Sequence, residues 1–340
     1  MAYDDFLAGF ARAQKLDSVE TLLTDHAVQY RFQIRSRDRA QAFIRELRGK
    51  LDYDFAGKRV LDVGCAYGSF SIELAHAGAE VTGIDVSEKW LRLAELNAKD
   101  DADVRFVHED ASSRAALSAL AGEPYDLIVL SDVLEHVYDT AGLLHNLRAL
   151  LKDDGLVYFK VPNGLATSHV LEEGHKKAFG VSLLAPDFWP PAVKTPFSIY
   201  YRRLEHYEAL FTRFGFRIGR WITFNRDRHA RATTEAIQSA RQDIETALAS
   251  AAFASDPQEA TMRDALRRYF DEMDQDLQTL DSMQLFLKYR ATFWEGLLTP
   301  AEAAAEQHVL KRESLFAPKH MLRWVQVRLP VIGRALGRRR

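Results

Sequence analysis

The sequence has few of the residues that cross-link a chain or anchor it in a membrane. Cys65 is the one cysteine among 340 residues, which excludes an intrachain disulfide and a multi-cysteine metal site. No apolar run reaches the roughly 18 residues that a membrane-spanning helix needs. The first ten residues, MAYDDFLAGF, carry acids where a signal peptide carries Lys or Arg. We therefore expect a globular cytoplasmic protein, and we predict no metal site.

A large excess of one charge is also missing from the chain as a whole. The net charge of −3 at pH 7 gives no general attraction to nucleic acid. Basic residues are concentrated at the carboxyl end, where no acidic residue follows Glu313. Residues 320–340 mix Trp, Leu, Val and Ile with arginine, as interfacial membrane segments do. The tail therefore predicts either peripheral contact with an anionic membrane or a helix docked on the protein's own acidic surface.

Short apolar runs alternate with amphipathic stretches over residues 59–163. The runs RVLDVG, EVTGID, VRFVHED, YDLIVLSD and LVYFKVPN are separated by segments of helical composition. Strands that alternate with helices form right-handed βαβ units, and hence a parallel sheet. Because LIVL and VLDV are apolar at nearly every position, both faces of the sheet should be covered. The predicted fold class is α/β, a Rossmann-like doubly wound and mostly parallel sheet with N-terminal helices and a helical C-terminal extension.

The composition divides the chain into three regions. Residues 1–52 are predicted to form a helical cap, and residues 53–225 the core that contains the sheet. Within the core, residues 164–197 are rich in Gly, His, Pro and aromatics, which predicts either a lid-like insertion or a surface loop packed by its own aromatics. Residues 226–340 have helical composition and end in the basic tail. One further strand could lie in QLFLKYRA, residues 284–291, although a helix fits that segment equally well.

The turn after the first strand is the first candidate binding site. Ligands of open parallel sheets bind outside the carboxyl ends of the strands, and Gly64 and Gly68 let the backbone approach a ligand closely. A dinucleotide fingerprint requires glycine where this turn has Ala66 and Ser69. The carboxylate of Asp62 would repel a pyrophosphate but not a cationic sulfonium. The turn therefore favours a cationic ligand over a dinucleotide.

Two further acids follow the neighbouring strands. Asp85 ends the second strand, where its carboxylate can accept the two hydroxyl protons of a ribose or, with Ser87, cap the next helix. Asp110 ends the third strand, where it can hold an adenine together with the N–H group of Ala111. With the turn, these residues predict a site for an adenosine that carries a sulfonium group.

The pattern D-x-G-x-A-x-G, the two acids that end strands two and three, and SDVLEHV after strand four together resemble class I S-adenosylmethionine-dependent methyltransferases, and most closely the ubiquinone-biosynthesis type O-methyltransferases. The resemblance covers about residues 54–224, half of the chain. It implies S-adenosylmethionine as the cofactor and departs from many relatives at Ala66, where they have glycine. The cofactor-binding residues that it implies are Asp62, Gly64, Ala66, Gly68, Asp85, Val86, Asp110, Ala111 and Ser131.

The resemblance also directs attention to the residues around the methyl group. Ser131 and Asp132 should contact the methionine end of the cofactor, and one of three arginines, at positions 31, 35 and 37, should bind its carboxylate. A sulfonium is already electrophilic, so an alcohol or phenol acceptor needs mainly alignment and a group that takes its proton. His136, just after strand four, is the first candidate for that general base, and His175 in the insertion is the second. The alternative for His136 is a residue that bonds locally and orders its loop, and the alternative for His175 is a solvated loop histidine.

The acceptor is predicted to be a hydroxyl of a small molecule or a glycan. Methylation of a base amino group uses an Asn/Asp-Pro-Pro-aromatic motif after strand four, and cytosine C5 methylation needs a cysteine there; this chain has neither. Arginines outnumber acids over residues 202–231, which predicts either an anionic acceptor or a solvated helix surface. Methyl transfer to nitrogen or carbon, and a scaffold protein that binds the cofactor without turnover, remain the alternatives.

Overall fold

The centre of the fold is a seven-stranded sheet, seen in a computed structural model that describes residues 2–25, 35–175, 177–189, 199–222, 233–253 and 255–301. The strand order is β3-β2-β1-β4-β5-β7-β6. Strands β1 to β5 pair in parallel, and β7 is antiparallel to both of its neighbours. The predicted mostly parallel, doubly wound sheet is thereby confirmed. The strands are Arg59–Val63 (β1), Glu80–Asp85 (β2), Val104–His108 (β3), Tyr125–Ser131 (β4), Leu151–Pro162 (β5), Phe216–Trp221 (β6) and Phe293–Pro300 (β7).

Helices connect the strands and cover both faces of the sheet. None of those in the described ranges is long and apolar enough to cross a bilayer. Two 3₁₀ turns, Val181–Leu183 and Pro186–Phe188, and a π-helical turn, Phe286–Arg290, complete the helical structure. The α-helices are Ala2–Ala13 (α1), Val19–Thr24 (α2), Ser36–Leu51 (α3), Ser69–His76 (α4), Glu88–Ala98 (α5), Arg114–Ala119 (α6), Thr140–Leu150 (α7), Thr167–Leu171 (α8), Leu204–Arg213 (α9), Thr233–Ser250 (α10), Asp256–Thr279 (α11) and Ser282–Leu285 (α12).

The continuous apolar runs follow from burial of the sheet on both faces. In β4, Ile128 and Leu130 pack into the core under α7 and α9, whereas Leu127 and Val129 pack into the core under α3 and α4. All four side chains are completely buried. A strand that contributes to two cores cannot alternate with polar residues, which is why LIVL has none.

The last strand in sequence departs from the predicted division of the chain. Residues 284–291, for which strand and helix were both open, are helical, and β7 begins just after them at Phe293. β7 inserts between β5 and β6, so the region predicted as a helical extension supplies one strand of the core sheet, a few residues after the segment in which a further strand was left open. Its sequence, FWEGLLTP, lacks the alternation of a half-exposed strand because Trp294, Leu297 and Leu298 are buried on its two faces. Tertiary pairing, rather than local pattern, defines this strand.

The insertion and the helical extension share a hydrophobic core. Val170 of α8 lies among Ile237 and Ile244 of α10 and Met262 and Leu266 of α11. Helices α10 and α11 of the extension therefore support the described part of the insertion. Residues 302–340, which include the basic tail and the predicted membrane contact, lie outside the described residues.

Candidate active site

The carboxyl ends of β1 to β4 lie side by side at one edge of the sheet. Because these strands are parallel, the residues that follow each strand meet there. The edge therefore brings together the predicted cofactor residues of all four strands. They are Asp62, Gly64, Ala66 and Gly68 from β1 and its turn, Asp85 and Val86 from β2, Asp110 and Ala111 from β3, and Ser131 from β4.

The turn after β1 is a close-approach turn, as its glycines predict. Gly64 and Gly68 have φ angles of +66° and +77°, and a Cβ atom on Gly68 would lie 2.9 Å from the Phe106 ring. Ala66 also has a positive φ, +47°, which costs a non-glycine residue about 1–2 kcal/mol. Its N–H group donates a 2.9 Å hydrogen bond to Asp85, which offsets that strain. The alanine at this position is thus compatible with the turn.

Asp85 is fixed by the backbone around it. One carboxylate oxygen accepts the N–H of Ala66, and the other accepts the N–H of Ser87 at 2.8 Å. Partial burial raises the pKa of Asp85, and these two bonds oppose the rise. Val86 is 65% exposed, so an apolar side chain faces solvent at the end of β2. A fixed carboxylate beside an exposed apolar surface suits a ribose and an adenine ring.

Asp62 differs from Asp85 and Asp110 because its side chain is buried. The Ser71 hydroxyl donates a 2.6 Å hydrogen bond to it, and burial raises the pKa of Asp62 to about 7. A buried carboxyl with no cation beside it favours the protonated form, and a cationic group placed against it would favour the ionised form. This is the behaviour expected of a carboxylate whose partner is a bound ammonium or sulfonium.

A cavity of about 120 Å³ opens beside Asp62 and is lined by Gly64, Ser131, Asp132 and, from α3, Arg39. The sequence proposed three other arginines for this place. Residue 31 lies outside the described residues, residue 35 pairs with Asp38 at the surface, and residue 37 pairs with Glu73 and Asp101. Arg39 instead reaches within 3.4 Å of Asp132. Sequence reasoning missed it because a single sequence does not show which side of α3 lines the cavity.

A larger cavity of about 550 Å³ lies at the opposite edge of the sheet. Arg59, Glu80 and Asp101 are among its lining residues, at the amino ends of the strands. Ligands of open parallel sheets bind at the carboxyl edge, so we assign the cofactor site to the smaller cavity beside Asp62.

The two candidate histidines meet, although 38 residues separate them in sequence. Their ring centroids are 5.4 Å apart at an angle of 80°. Each imidazole has a buried carboxylate beside it. Glu173 lies 2.8 Å from Nδ1 of His175 and also accepts the hydroxyl of Tyr201. Glu135 lies 3.8 Å from Nε2 of His136.

Glu135 is the more unusual of the two carboxyls. Its side chain is 1% exposed, and its Oε2 atom has no hydrogen-bond partner among the described residues. Burial, together with the charge of Asp132, holds the pKa of Glu135 well above its usual range. Neither glutamate was singled out from the sequence, because a single sequence does not show which acids the fold will bury.

The histidines and Glu135 also form a possible ion site. Glu135, His136 and His175 each offer one ligand atom, and these atoms lie within 4.8 Å of one another. Imidazole nitrogen and carboxylate oxygen are ligands that Zn²⁺ accepts, but each nitrogen must then be deprotonated. Proton uptake and ion binding would therefore compete for the same atoms. The sequence did not predict this arrangement.

The site as a whole fits S-adenosylmethionine better than a dinucleotide. It has the buried carboxyl of Asp62 at the β1 turn, a fixed Asp85 for a ribose, and a cavity that extends from Asp62 to Ser131. Cys65 in the same turn is buried, and burial raises the pKa of its thiol, which agrees with a packing role rather than a nucleophilic one. The fold and this edge define a class I S-adenosylmethionine-dependent methyltransferase domain.

Comparison with known families agrees with that class. The chain belongs to the methyltransferase-domain family, whose sequence model matches residues 32–219. This confirms the resemblance predicted from the sequence. S-adenosylmethionine is the cofactor of this class.

Curated relatives with a related sequence carry a more specific name. The chain is 38% identical over 121 residues to the ubiquinone biosynthesis O-methyltransferase of Bordetella avium, a match that covers 36% of this chain and 48% of that protein. It is 39% identical over 116 residues to the protein of the same name from Ralstonia nicotianae, covering 34% and 48%. The chain thus spans about half the length of the curated relatives it matches.

Two solved methyltransferase structures match part of the chain at low identity. The magnesium protoporphyrin IX methyltransferase of Synechocystis PCC 6803 with bound SAH is 23% identical, covers 57% of this chain and 79% of its own, and superposes with a TM-score of 0.42. An S-adenosylmethionine-dependent methyltransferase from Clostridium acetobutylicum is 16% identical, covers 58% and 88%, and has a TM-score of 0.43.

Proposed function

We propose that this protein transfers the methyl group of S-adenosylmethionine to a hydroxyl group of a small molecule or a glycan. The observation that carries the proposal is the pairing of His136 with His175 at the carboxyl edge, each beside a buried carboxylate. An acceptor hydroxyl must lose a proton as it is methylated, and an imidazole just after β4 or in the insertion can accept it.

The bound cofactor supplies a methyl group on a positively charged sulfur, which needs no further activation. The protein's residues have three tasks. Asp85 and Asp62 orient the two ends of the cofactor, and Arg39 neutralises a carboxylate in the cavity. The insertion, supported from behind by α10 and α11, limits the access of water to the acceptor. Alignment of this kind accounts for most of the rate enhancement in such a reaction.

The contacts of His175 favour it as the group that accepts the hydroxyl proton. Glu173 lies against Nδ1 of His175, which favours the tautomer that carries its proton on Nδ1 and leaves Nε2 as the acceptor. Glu173 would also stabilise the imidazolium once the proton has moved. His136 lies next to this pair and offers a second route. The Glu173–His175 pair is the better organised base, because its carboxylate is within hydrogen-bonding distance.

The relatives named as ubiquinone biosynthesis O-methyltransferases favour oxygen over nitrogen or carbon as the acceptor atom. Because the match covers half of their length, the acceptor itself is a separate proposal. We further propose a cytoplasmic location, with the basic tail either on an anionic membrane or on the protein's own surface. Vesicle flotation with and without residues 320–340 tests the tail; equal partition of both forms into the soluble fraction would exclude the membrane contact.

The test of turnover uses a metabolite or glycan extract with S-adenosylmethionine labelled in the methyl group. We expect base-stable, ether-linked label in small molecules or glycans, and a rate lower by about 10²-fold or more for the variant that removes the general base, His175→Ala or His136→Ala. His145→Ala is the matched control, because His145 is exposed on α7. A wild-type protein that binds the donor in a calorimetric titration but labels nothing would be a scaffold. Tight NADH binding without binding of the methyl donor would overturn the assignment altogether.

A further inference from the structure

The loop that follows β4, residues 134–138, carries both Glu135 and His136 but belongs to no helix or strand. Its carbonyl groups therefore have no ladder partners and must be bonded by other parts of the chain. Its one backbone bond to the preceding residues runs from the N–H of His136 to Val133, at 2.8 Å. The placement of the His136 imidazole thus depends on what else holds this loop.

Arg202 supplies most of the missing bonds. Its Nη1 atom donates to the carbonyl of Leu134 at 3.0 Å, and its Nη2 atom donates to Val137 at 2.9 Å and to Tyr138 at 3.3 Å. The guanidinium also lies over the ring of Tyr200, 4.8 Å from its centroid. A planar guanidinium can serve several carbonyls at once in fixed directions, which an ammonium group cannot do.

The two residues before Arg202 hold the other components of the site. The N–H of Tyr200 donates to the carbonyl of Glu135 at 2.7 Å. The hydroxyl of Tyr201 donates to the carboxylate of Glu173, the same carboxylate that lies against His175. The N–H of Arg202 bonds to the carbonyl of Tyr200 at 2.9 Å, which makes a tight turn at Tyr201, and this short stretch reaches both histidine-bearing loops.

Arg202 is better placed as a support than as a ligand for an acceptor. Its two terminal nitrogens are already bonded to three backbone carbonyls, so they are not directed at the site. The neighbouring Arg203 is different, because its side chain is 49% exposed and pairs with Glu272 of α11. Adjacent residues of the same type therefore have separate roles, and the pair offers a matched comparison.

We propose that residues 200–202 form a clamp that sets the spacing of the two imidazoles, with Arg202 as the positioning residue for His136 and Tyr201 as the positioning residue for the Glu173–His175 pair. The clamp joins the loop after β4 to the insertion. It rests on the proposed function, because it assigns a role in that reaction to residues that touch neither donor nor acceptor.

Substitution of Arg202 by lysine keeps the charge and removes the planar geometry. We expect turnover to fall by roughly 10²-fold, the effect of a displacement of about 1 Å at a reacting group. The dissociation constant for S-adenosylmethionine should stay within about twofold, because the clamp does not reach the cofactor turn. If Arg202 acts through His136, R202K should lower the residual turnover of H136A by less than about threefold.

Nuclear magnetic resonance of the imidazole ring protons tests the clamp without any turnover. In the wild type, the ring protons of His136 and His175 should be dipolar-coupled to each other, because the ring centroids are 5.4 Å apart. R202K should shift the His136 resonance and Y201F the His175 resonance, while R203K should change neither. Circular dichroism melting curves would show whether each variant folds, and Y201F carries the test if R202K does not.

The outcomes separate the clamp from the function. If R202K and Y201F disturb the coupled resonances and R203K does not, the result supports the clamp, even if no acceptor is ever labelled. Turnover in the wild type together with unchanged rates and resonances in R202K overturns the clamp and leaves the proposed function in place. An equal loss of turnover from R202K in the wild type and in H136A would show that Arg202 acts elsewhere, which also overturns it.

Discussion

Replacement of Asp62 by asparagine should change cofactor affinity and protein stability in opposite directions. Burial raises the pKa of Asp62 to about 7, so the free protein carries a mixture of protonated and ionised carboxyl groups near neutral pH. Only the ionised form attracts the positive charge of S-adenosylmethionine. The apparent dissociation constant should therefore scale with the inverse of the ionised fraction.

The magnitude follows from that pKa. Between about pH 6 and about pH 7.5 the ionised fraction rises from roughly a tenth to roughly three quarters, so the wild type should bind about eightfold more tightly at the higher pH. In Asp62→Asn the dependence should disappear and the affinity should be low throughout. The amino group of the cofactor titrates in the same way with both proteins, so the difference between wild type and variant reports the contribution of residue 62.

The same substitution should raise the free energy of unfolding while it lowers the affinity. An acid whose folded-state pKa lies above its unfolded value destabilises the fold increasingly as pH rises from the unfolded to the folded pKa. Here that window runs from about 4 to about 7, and the cost above it is at most about 4 kcal/mol. At about pH 8 the free Asp62→Asn protein should therefore resist urea better than the wild type, and below about pH 4 the two should converge.

Isothermal titration calorimetry across this pH range and urea unfolding of the free protein measure the two effects. A wild-type affinity that does not change with pH, or an asparagine variant that is less stable than the wild type at about pH 8, would refute the reasoning. A damaged fold would lower both quantities together, so the opposite signs are the diagnostic result.

Three other substitutions or ligands test the remaining parts of the site. Arg39→Ala should weaken binding of S-adenosylmethionine by at least tenfold in calorimetry, since a hydrogen bond to a charged group contributes about 1.5–3 kcal/mol, whereas Arg35→Ala at the surface should leave it unchanged. Gly68→Ala should lower the free energy of unfolding by about 1–3 kcal/mol, because its backbone has φ +77° and a Cβ atom would meet Phe106; a melting temperature equal to that of the wild type would contradict the turn geometry. Zn²⁺ should bind with a stoichiometry of about one and inhibit methyl transfer by occupying the two imidazoles, and equal zinc binding by His175→Ala would place the ion elsewhere.

The sequence predicts the strands that have a clear local pattern, but it does not predict the strand that depends on distant partners. The runs around Leu61 and Ile128 are apolar because both sheet faces are covered, so β1 to β5 could be predicted from composition and spacing alone. The carboxyl edge then followed from the parallel order of those strands. β7 could not be found in this way, because its identity as a strand comes from β5 and β6 rather than from its own pattern.

The residues of the site also fall into two groups, those that the local sequence indicates and those that only the fold brings close. Asp62 lies near the end of β1, Asp85 ends β2 and Asp110 comes two residues after β3, so a strand-by-strand reading places them at one edge. Arg39 and Arg202 approach from distant parts of the chain, and their roles arise from helix packing and from loops that meet only in the folded state. The excess of arginine over residues 202–231 was visible in the sequence, yet it predicted an anionic acceptor or a solvated surface rather than a support for backbone carbonyls.

The insertion of β7 between β5 and β6 has a consequence for how the chain reaches its native state. β5 and β7 are about 130 residues apart in the chain, a separation at which loop closure is slow. Until β7 arrives, the apolar outer edge of β5 has no partner, and β6 has no strand to join. Synthesis delivers residues 216–221 long before residues 293–300, so the nascent chain passes through a stage with an open, pairing-competent edge.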